Sequence, residues 1–263
     1  MNKPTSPSVV LCDLDGVVWL AHRPIAGSVE AVANLRSAGM RVVFVTNNSF
    51  STYAEQVSAL SSIGIEAHGD IVTSAMSAAT AIETGSRVLV CGGSGLIEEI
   101  GNTGAEVVVA YDEPMAAGAF DAVVVGFHRQ FNFQVLSDAL SAVRGGARLI
   151  GSNDDPTYPT PTGPIPGGGS ILAAIEKASG VTAIVTGKPN LPMAGLVRDL
   201  CAGVDPAAMV MVGDRPDTDG AFAVTLGAQY ALVMSGVTGS ADGIAADIVA
   251  ADLAAVAAHL LTH

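Results

Sequence analysis

Val9-Val10-Leu11-Cys12-Asp13-Leu14-Asp15-Gly16-Val17-Val18 is an apolar run that ends in two carboxylates and a glycine. Its unbroken apolar start reads as a strand buried on both faces, the kind found in parallel sheets. With a side-chain period of two, Asp13 and Asp15 leave the backbone on the same side, and Gly16 lets the chain turn at once. Two like charges so close call for a cation between them, and a hard divalent ion suits oxygen ligands. The carboxyl end of a parallel strand is also where open α/β sheets place their sites. Taken alone, an Asp-x-Asp serves equally as a charged strand-to-loop turn, so the rest of the chain has to decide.

At 263 residues and 49% hydrophobic content, the chain is long enough for one large or two moderate domains with ample core. Twelve basic against twenty-five acidic residues give a net charge of -13 with no Lys/Arg cluster, which argues against a nucleic-acid partner. An acidic whole still admits an anionic substrate, because a metal and one well-placed lysine reverse the potential locally. Cys12, Cys91 and Cys201 are odd in number, widely spaced and set in apolar sequence, so they read as buried thiols and not as a disulfide or zinc framework. The start does not read as a signal peptide, since Asp13 and Asp15 cut the first apolar run. No apolar stretch reaches membrane-spanning length; the Ala-rich segment from Ala245 to Leu261 carries Asp247, Asp252 and His259. The expectation is a reduced, soluble, cytoplasmic enzyme without a membrane partner.

Strand-like runs alternate with helix-like segments, the pattern of a parallel sheet with helices on its faces. Ser28 to Ala38 reads as a helix stopped by Gly39, Arg41 to Thr46 as a second buried strand, and Thr52 to Ile63 as a helix stopped by Gly64. A fresh set begins at Arg87, with strands at 87–91, 106–109, 122–125 and 148–150 and a helix from Phe133 to Val143. After Ser179-Gly180 the first set resumes at Ala183-Ile184-Val185, Ala208 to Val212 and Tyr230 to Val233. The expected organisation is one α/β domain, 1–81 and 182–263, interrupted by an insertion at 82–181. The Pro- and Gly-rich stretch from Pro156 to Gly169 reads as an ordered long loop in that insertion.

Three further strand ends carry polar clusters. Thr46-Asn47-Asn48 offers a hydroxyl and backbone amides to an anion. Gly187-Lys188-Pro189 presents a cation on a stiffened turn, and Gly213-Asp214-Arg215-Pro216-Asp217-Thr218-Asp219 ends a buried strand in an acidic loop. Each has a plain structural reading as turn, cap or solvated charge. Their conjunction at the ends of separate strands is what a phosphomonoester hydrolase needs: a nucleophile, a proton donor, a divalent ion and positively polarised donors.

On these residues the chain resembles the haloacid dehalogenase superfamily, and within it the NagD and p-nitrophenyl phosphatase group. Asp13-Leu14-Asp15-Gly16-Val17-Val18, Thr46-Asn47, Gly187-Lys188-Pro189 and Gly213-Asp214 with Thr218-Asp219 match its four motifs. The resemblance implies a doubly wound, Rossmann-like parallel-sheet core with the insertion as an α/β cap. It also implies a Mg2+-dependent phosphatase acting on a small phosphorylated metabolite. Asp13 would be the nucleophile that forms an aspartyl-phosphate, and Asp15 the acid and then base, a task that calls for a carboxyl poised near neutral pH. Mg2+ would be held by the Asp13 carboxylate, the Asp15 backbone carbonyl and Asp214, with Asp219 orienting that shell from behind. Thr46, the Asn47 amide and Lys188 would hold the phosphoryl oxygens.

The cap segment from Gly151 to Pro159 also matches this branch, making Tyr158 a candidate to face the substrate, though it equally fits a tyrosine packed in a Pro-bounded turn. Asn48 is a further candidate. His128 departs from the acid that relatives often carry after the Val-Gly strand end, and no partner at ligand spacing makes it a metal ligand. Gly92-Gly93-Ser94-Gly95 lacks the rest of a dinucleotide fingerprint and reads as a tight turn. A catalytically silent phosphometabolite-binding protein or a phosphotransferase on the same fold stays open. So do the identity of the phosphomonoester and a homodimer formed through the cap, as in relatives. A dehalogenase is disfavoured, because that chemistry needs neither an acid at position 15 nor a metal.

Overall fold

The computed structural model describes residues 7–20, 22–110, 119–158, 160 and 162–262; Pro159 of the cap segment lies outside them. Two parallel sheets organise the chain. The main sheet has six strands in the spatial order Ile248–Ala250, Gln229–Val233, Met209–Gly213, Val9–Cys12, Arg41–Thr46 and Ile71–Thr73. Every pairing in it is parallel. Val9–Cys12 is buried throughout, as its apolar run requires.

The two faces of that strand enter different apolar clusters. Val10 and Cys12 pack with Leu35 and Val256 of the helices Ser28–Ser37 and Leu253–Thr262. Val9 and Leu11 pack with Met193, Val197 and Phe222 of the helices Leu191–Leu200 and Ala221–Leu226. Helices on both faces are the reason the strand shows no polar alternation.

From Val9–Cys12 the order runs outward through Arg41–Thr46 on one side and through Met209–Gly213 on the other. The strand order therefore reverses at the first strand, and a crevice opens there beyond the carboxyl ends. Asp13 is the first residue past that strand.

The second sheet has five parallel strands in the order Ile184–Val185, Arg148–Gly151, Ala122–Val125, Arg87–Cys91 and Glu106–Val109. Here the structure departs from the sequence pattern at one strand. Ile184–Val185 pairs with Ile150 and Gly151 at the edge of the second sheet and not with the main sheet, which the pattern predicts for it. A two-residue strand carries too little apolar sequence to show which edge it joins. Likewise, Ala75 and Ala78 of the helix Ser74–Ala79 and nearby Ile82 enter an apolar cluster of the second sheet with Val88, Val90 and Ile150.

The Pro- and Gly-rich stretch contains a short antiparallel pair, Thr157–Tyr158 with Ile165–Pro166. Gly93 opens the helix Ser94–Asn102, and the Gly95 N–H donates to the Phe50 carbonyl at 2.9 Å. A Cβ on Gly95 would run into Ser51, so the glycine turn brings the second unit hard against the loop that follows Arg41–Thr46. All three cysteines are buried and free. No helix among the described residues is long and apolar enough to cross a membrane.

Candidate active site

The sequence-predicted residues Asp13, Asp15, Thr46, Asn47 and Asn48 line one cavity beyond the carboxyl ends of the main sheet. Tyr158, Lys188, Asp214 and Asp219 line the same cavity, although they come from distant parts of the chain. Asp13 and Asp15 share this side while Leu14, between them, is buried in the core beneath. Gly16 follows with φ +89°, a conformation that L side chains adopt at a cost. A Cβ there would also stand 2.6 Å from Asp214 Oδ2, so glycine allows the two acidic strand ends to approach.

Lys188 is the electrostatic centre. Its ammonium donates to Asp13 Oδ1 at 2.9 Å and to Asp219 Oδ1 at 2.7 Å, with only 1% of the side chain exposed. Burial alone would lower its pKa, but Asp13 and then Asp219 outweigh burial and hold the ammonium above the ordinary lysine value. Burial pushes the Asp219 carboxyl up while Lys188 pulls the other way. Asp219 Oδ2 accepts the Arg215 N–H at 3.1 Å, so both its oxygens are engaged within the protein. The wide helical turn Pro216–Gly220 places it there, and Gly213 leaves room for its side chain.

Asp214 is different. Oδ2 accepts the Val237 N–H at 2.6 Å, whereas Oδ1 is buried and has no hydrogen-bond partner among the described residues. Burial, and next Asp13, push this carboxyl up to about 6. Oxygens of Asp13, Asp214 and Asp219 lie within 4.8 Å of one another. A buried acceptor left without a donor costs about 1–3 kcal/mol. A hard cation removes that cost, so the donor set fits a divalent metal. Asp13 and Asp214 are the better side-chain ligands, because Asp219 already serves Lys188 and Arg215.

Thr46 Oγ1 accepts the Asn48 N–H at 3.1 Å, which leaves the hydroxyl hydrogen free to point at an anion in the cavity. Asn48 Oδ1 accepts the N–H groups of Phe50 and Ser51 at 2.9 and 3.2 Å and so shapes the loop. Tyr158 stacks on Phe127, with ring centroids 5.4 Å apart and planes at 11°, and Phe127 meets Phe50 at 5.7 Å. Tyr158 thus both packs and lines the cavity, and burial followed by Asp15 raises its hydroxyl to about 12. His128 is buried against Phe131, and burial lowers its pKa.

Asp155, Phe127 and Arg215 also line the cavity but carry no role in the sequence reading. Asp155 sits just past the strand end Arg148–Gly151 and before Pro156, the same strand-end signal that marks Asp13 and Asp214.

The chain is similar to known proteins over most of its length. Residues 10–106 match the family described as haloacid dehalogenase-like hydrolase, and residues 185–256 match a second, HAD-hydrolase-like family. The chain is 36% identical over 243 residues to the D-glycerol 3-phosphate phosphatase of Mycobacterium tuberculosis, with 90% of this chain aligned and 66% of that relative's length spanned. The p-nitrophenyl phosphatase from Archaeoglobus fulgidus superposes with a TM-score of 0.86 at 31% identity, over 97% of this chain and 99% of that one. A glycerol phosphate phosphatase from Mycobacterium tuberculosis in complex with magnesium gives a TM-score of 0.83 at 31% identity, over 96% and 77% of the two chains. From its four strand-end motifs, its two parallel sheets and these similarities, the chain belongs to the haloacid dehalogenase-like hydrolases, in their NagD and p-nitrophenyl phosphatase-like branch.

Proposed function

We propose that this protein is a Mg2+-dependent phosphatase that hydrolyses small phosphomonoesters through an aspartyl-phosphate on Asp13. The observation that carries the reading is the pairing of Asp13 with the buried Lys188 ammonium, beside Asp214, whose Oδ1 has no hydrogen-bond partner among the described residues. Among the described residues only Lys188 bonds the Asp13 carboxylate, through Oδ1, leaving Oδ2 to attack phosphorus. The P–O bond to the alcohol breaks as the Asp13–phosphorus bond forms. Asp15, on the same side of the chain, gives its proton to the leaving oxygen and later takes one from the water that hydrolyses the acyl phosphate.

Lys188 balances the charge of Asp13 against an incoming phosphate dianion and, with the Thr46 hydroxyl and the Asn47 amide, holds the phosphoryl oxygens in the transition state. Asp13, the Asp15 backbone carbonyl and Asp214 would hold Mg2+, with Asp219 fixing Lys188 behind them. When bound, Mg2+ supplies neutralisation of the phosphoryl charge. The apolar and aromatic mouth formed by Leu20, Phe50, Phe127 and Tyr158 takes the alcohol part of the ester and limits access of water. Similarity to a glycerol phosphate phosphatase and a p-nitrophenyl phosphatase supports a small phosphomonoester as substrate.

Purified protein is expected to release phosphate from p-nitrophenyl phosphate in the presence of Mg2+ and to lose that activity on addition of EDTA and in Asp13→Asn. Phosphate release that survives in Asp13→Asn would overturn the mechanism. A protein that binds the ester but turns none over would be a binder.

A further inference from the structure

Asn47 has a second set of contacts that the phosphate-binding role of its backbone amide does not use. Its carboxamide oxygen accepts the Lys188 N–H at 2.9 Å, and its nitrogen donates to the Lys188 carbonyl at 3.2 Å. The side chain therefore grips both polar groups of the Lys188 backbone, much as a neighbouring strand would. The other Nδ2 hydrogen goes to Asp155 Oδ2 at 3.0 Å, so both amide hydrogens are used. Turning the carboxamide over would set its oxygen against the Asp155 carboxylate and its NH2 against the Lys188 N–H. An ionised carboxylate only accepts, so Asp155 reinforces the one orientation that the Lys188 N–H and carbonyl also favour.

Asp155 belongs to the inserted unit, in the segment that follows the second-sheet strand Arg148–Gly151. Neighbouring residues of that segment press on the same place. Asn153 Nδ2 donates to the Asn47 carbonyl at 2.8 Å, and the Gly187 N–H donates to the Ser152 carbonyl at 2.9 Å. A Cβ on Gly187 would run into that carbonyl and stand 2.7 Å from Asn47 Oδ1, so the lysine's loop is held tightly between the two units. Asp155 makes no hydrogen bond to Lys188 or Asp13; its hydrogen-bonded path to them runs through Asn47, while its other oxygen accepts the Thr218 hydroxyl at 3.5 Å. A contact needed only to join the two units would be met better by a neutral acceptor. With Asp13, Asp15, Asp214 and Asp219 already lining the cavity, another acid opposes an anionic substrate.

We propose that Asp155 is a positioning residue supplied by the inserted unit: it orients the Asn47 carboxamide, which sets the Lys188 backbone and thereby the ammonium against Asp13. The inference rests on the phosphatase reading above. It makes the insertion part of the reacting geometry and not only a cover over it.

The test compares wild type, Asp155→Ala, Asp155→Asn, Asn47→Ala and the Asp155→Ala/Asn47→Ala double variant, with p-nitrophenyl phosphate and glycerol phosphate at saturating Mg2+. Misplacing a reacting group by a fraction of an ångström predicts that Asp155→Ala lowers kcat by about 10- to 100-fold, with KM changed less than about threefold and the same loss for both esters. Asp155→Asn, whose amide can present either its oxygen or its NH2 to Asn47, should recover only part of the rate. The double variant should be no slower than Asn47→Ala alone, because the two residues act in series. A loss carried by KM, a loss that differs between the esters, or additive effects in the double variant would each overturn the proposal. A wild-type enzyme inactive on both esters removes the phosphatase reading, and this inference with it. An active wild type matched by Asp155→Ala removes this inference alone.

Discussion

The Lys188 ammonium and the Asp13 carboxylate form an ion pair at 2.9 Å in which the lysine is almost wholly withdrawn from water. The lysine follows the edge strand of the second sheet, Ile184–Val185, and the aspartate follows a central strand of the main sheet. The pair therefore joins the two units at the point proposed for the chemistry.

Removing the lysine should affect both rate and stability. Lys188→Ala leaves Asp13 and Asp219 buried and uncompensated, and breaking such a pair costs about 3–5 kcal/mol. Loss of a preorganised cation at the phosphoryl group should lower kcat by about 100-fold or more. Steady-state kinetics beside urea unfolding separates the two effects, and an unchanged kcat in folded Lys188→Ala would sink the role assigned to it.

Asp214 is expected to make the metal-free protein sensitive to pH. Its folded pKa of about 6 lies above the unfolded value, so the native state binds the extra proton and this contribution to stability is lost as pH rises through about 6. In EDTA, wild type should gain melting temperature relative to Asp214→Asn as pH is lowered from about 7 to about 5. Mg2+, which prefers the carboxylate, should reverse that trend, and its apparent affinity should weaken below about pH 6. Calorimetric scans with and without Mg2+ check both signs; a wild-type melting temperature that falls relative to Asp214→Asn on acidification in EDTA would contradict the assignment.

Gly16 is predicted to set the metal requirement. Its left-handed backbone makes an alanine cost about 1–2 kcal/mol. The added Cβ would also stand 2.6 Å from Asp214 Oδ2 and displace a carboxylate proposed to hold Mg2+. Gly16→Ala should therefore need about tenfold more Mg2+ for half-maximal activity, a shift of about 1.4 kcal/mol in metal binding. A Mg2+ titration identical to wild type would show that Asp214 is not held by this approach.

Tyr158 is predicted to act through its ring more than its hydroxyl, because it stacks on Phe127 at the cavity wall. An aromatic contact is worth about 0.5–1.5 kcal/mol, so Tyr158→Ala should raise KM for an aryl phosphate by about 2- to 10-fold and change it less for glycerol phosphate. Tyr158→Phe should stay close to wild type. Equal effects on both esters would assign Tyr158 to packing alone.

Much of this architecture is legible along the chain because it depends on local rules. The apolar runs at Val9–Cys12, Arg41–Thr46 and Met209–Gly213 announce strands buried on both faces. The period of two puts Asp13 and Asp15 on one side, and the polar residues that end each run mark where a site can lie. Asp13, Thr46, Lys188, Asp214 and Asp219 could be chosen on that basis, and the structure brings them to one cavity.

Other features depend on pairings between residues far apart in the chain, and only the tertiary structure decided them. The strand Ile184–Val185 is too short to carry a sheet preference in its sequence, and its place beside Ile150 and Gly151 follows from how the second sheet is completed. The hydrogen bond from Asn47 to Asp155 crosses 108 positions and the one from Lys188 to Asp13 crosses 175, so no local pattern records either. That Asp214 Oδ1 has no hydrogen-bond partner among the described residues is likewise invisible along the chain, because a missing partner is a property of packing and not of any residue type. The sequence by itself marked the candidate residues; the folded contacts decided how they are held, since orientation and burial arise only when distant segments meet.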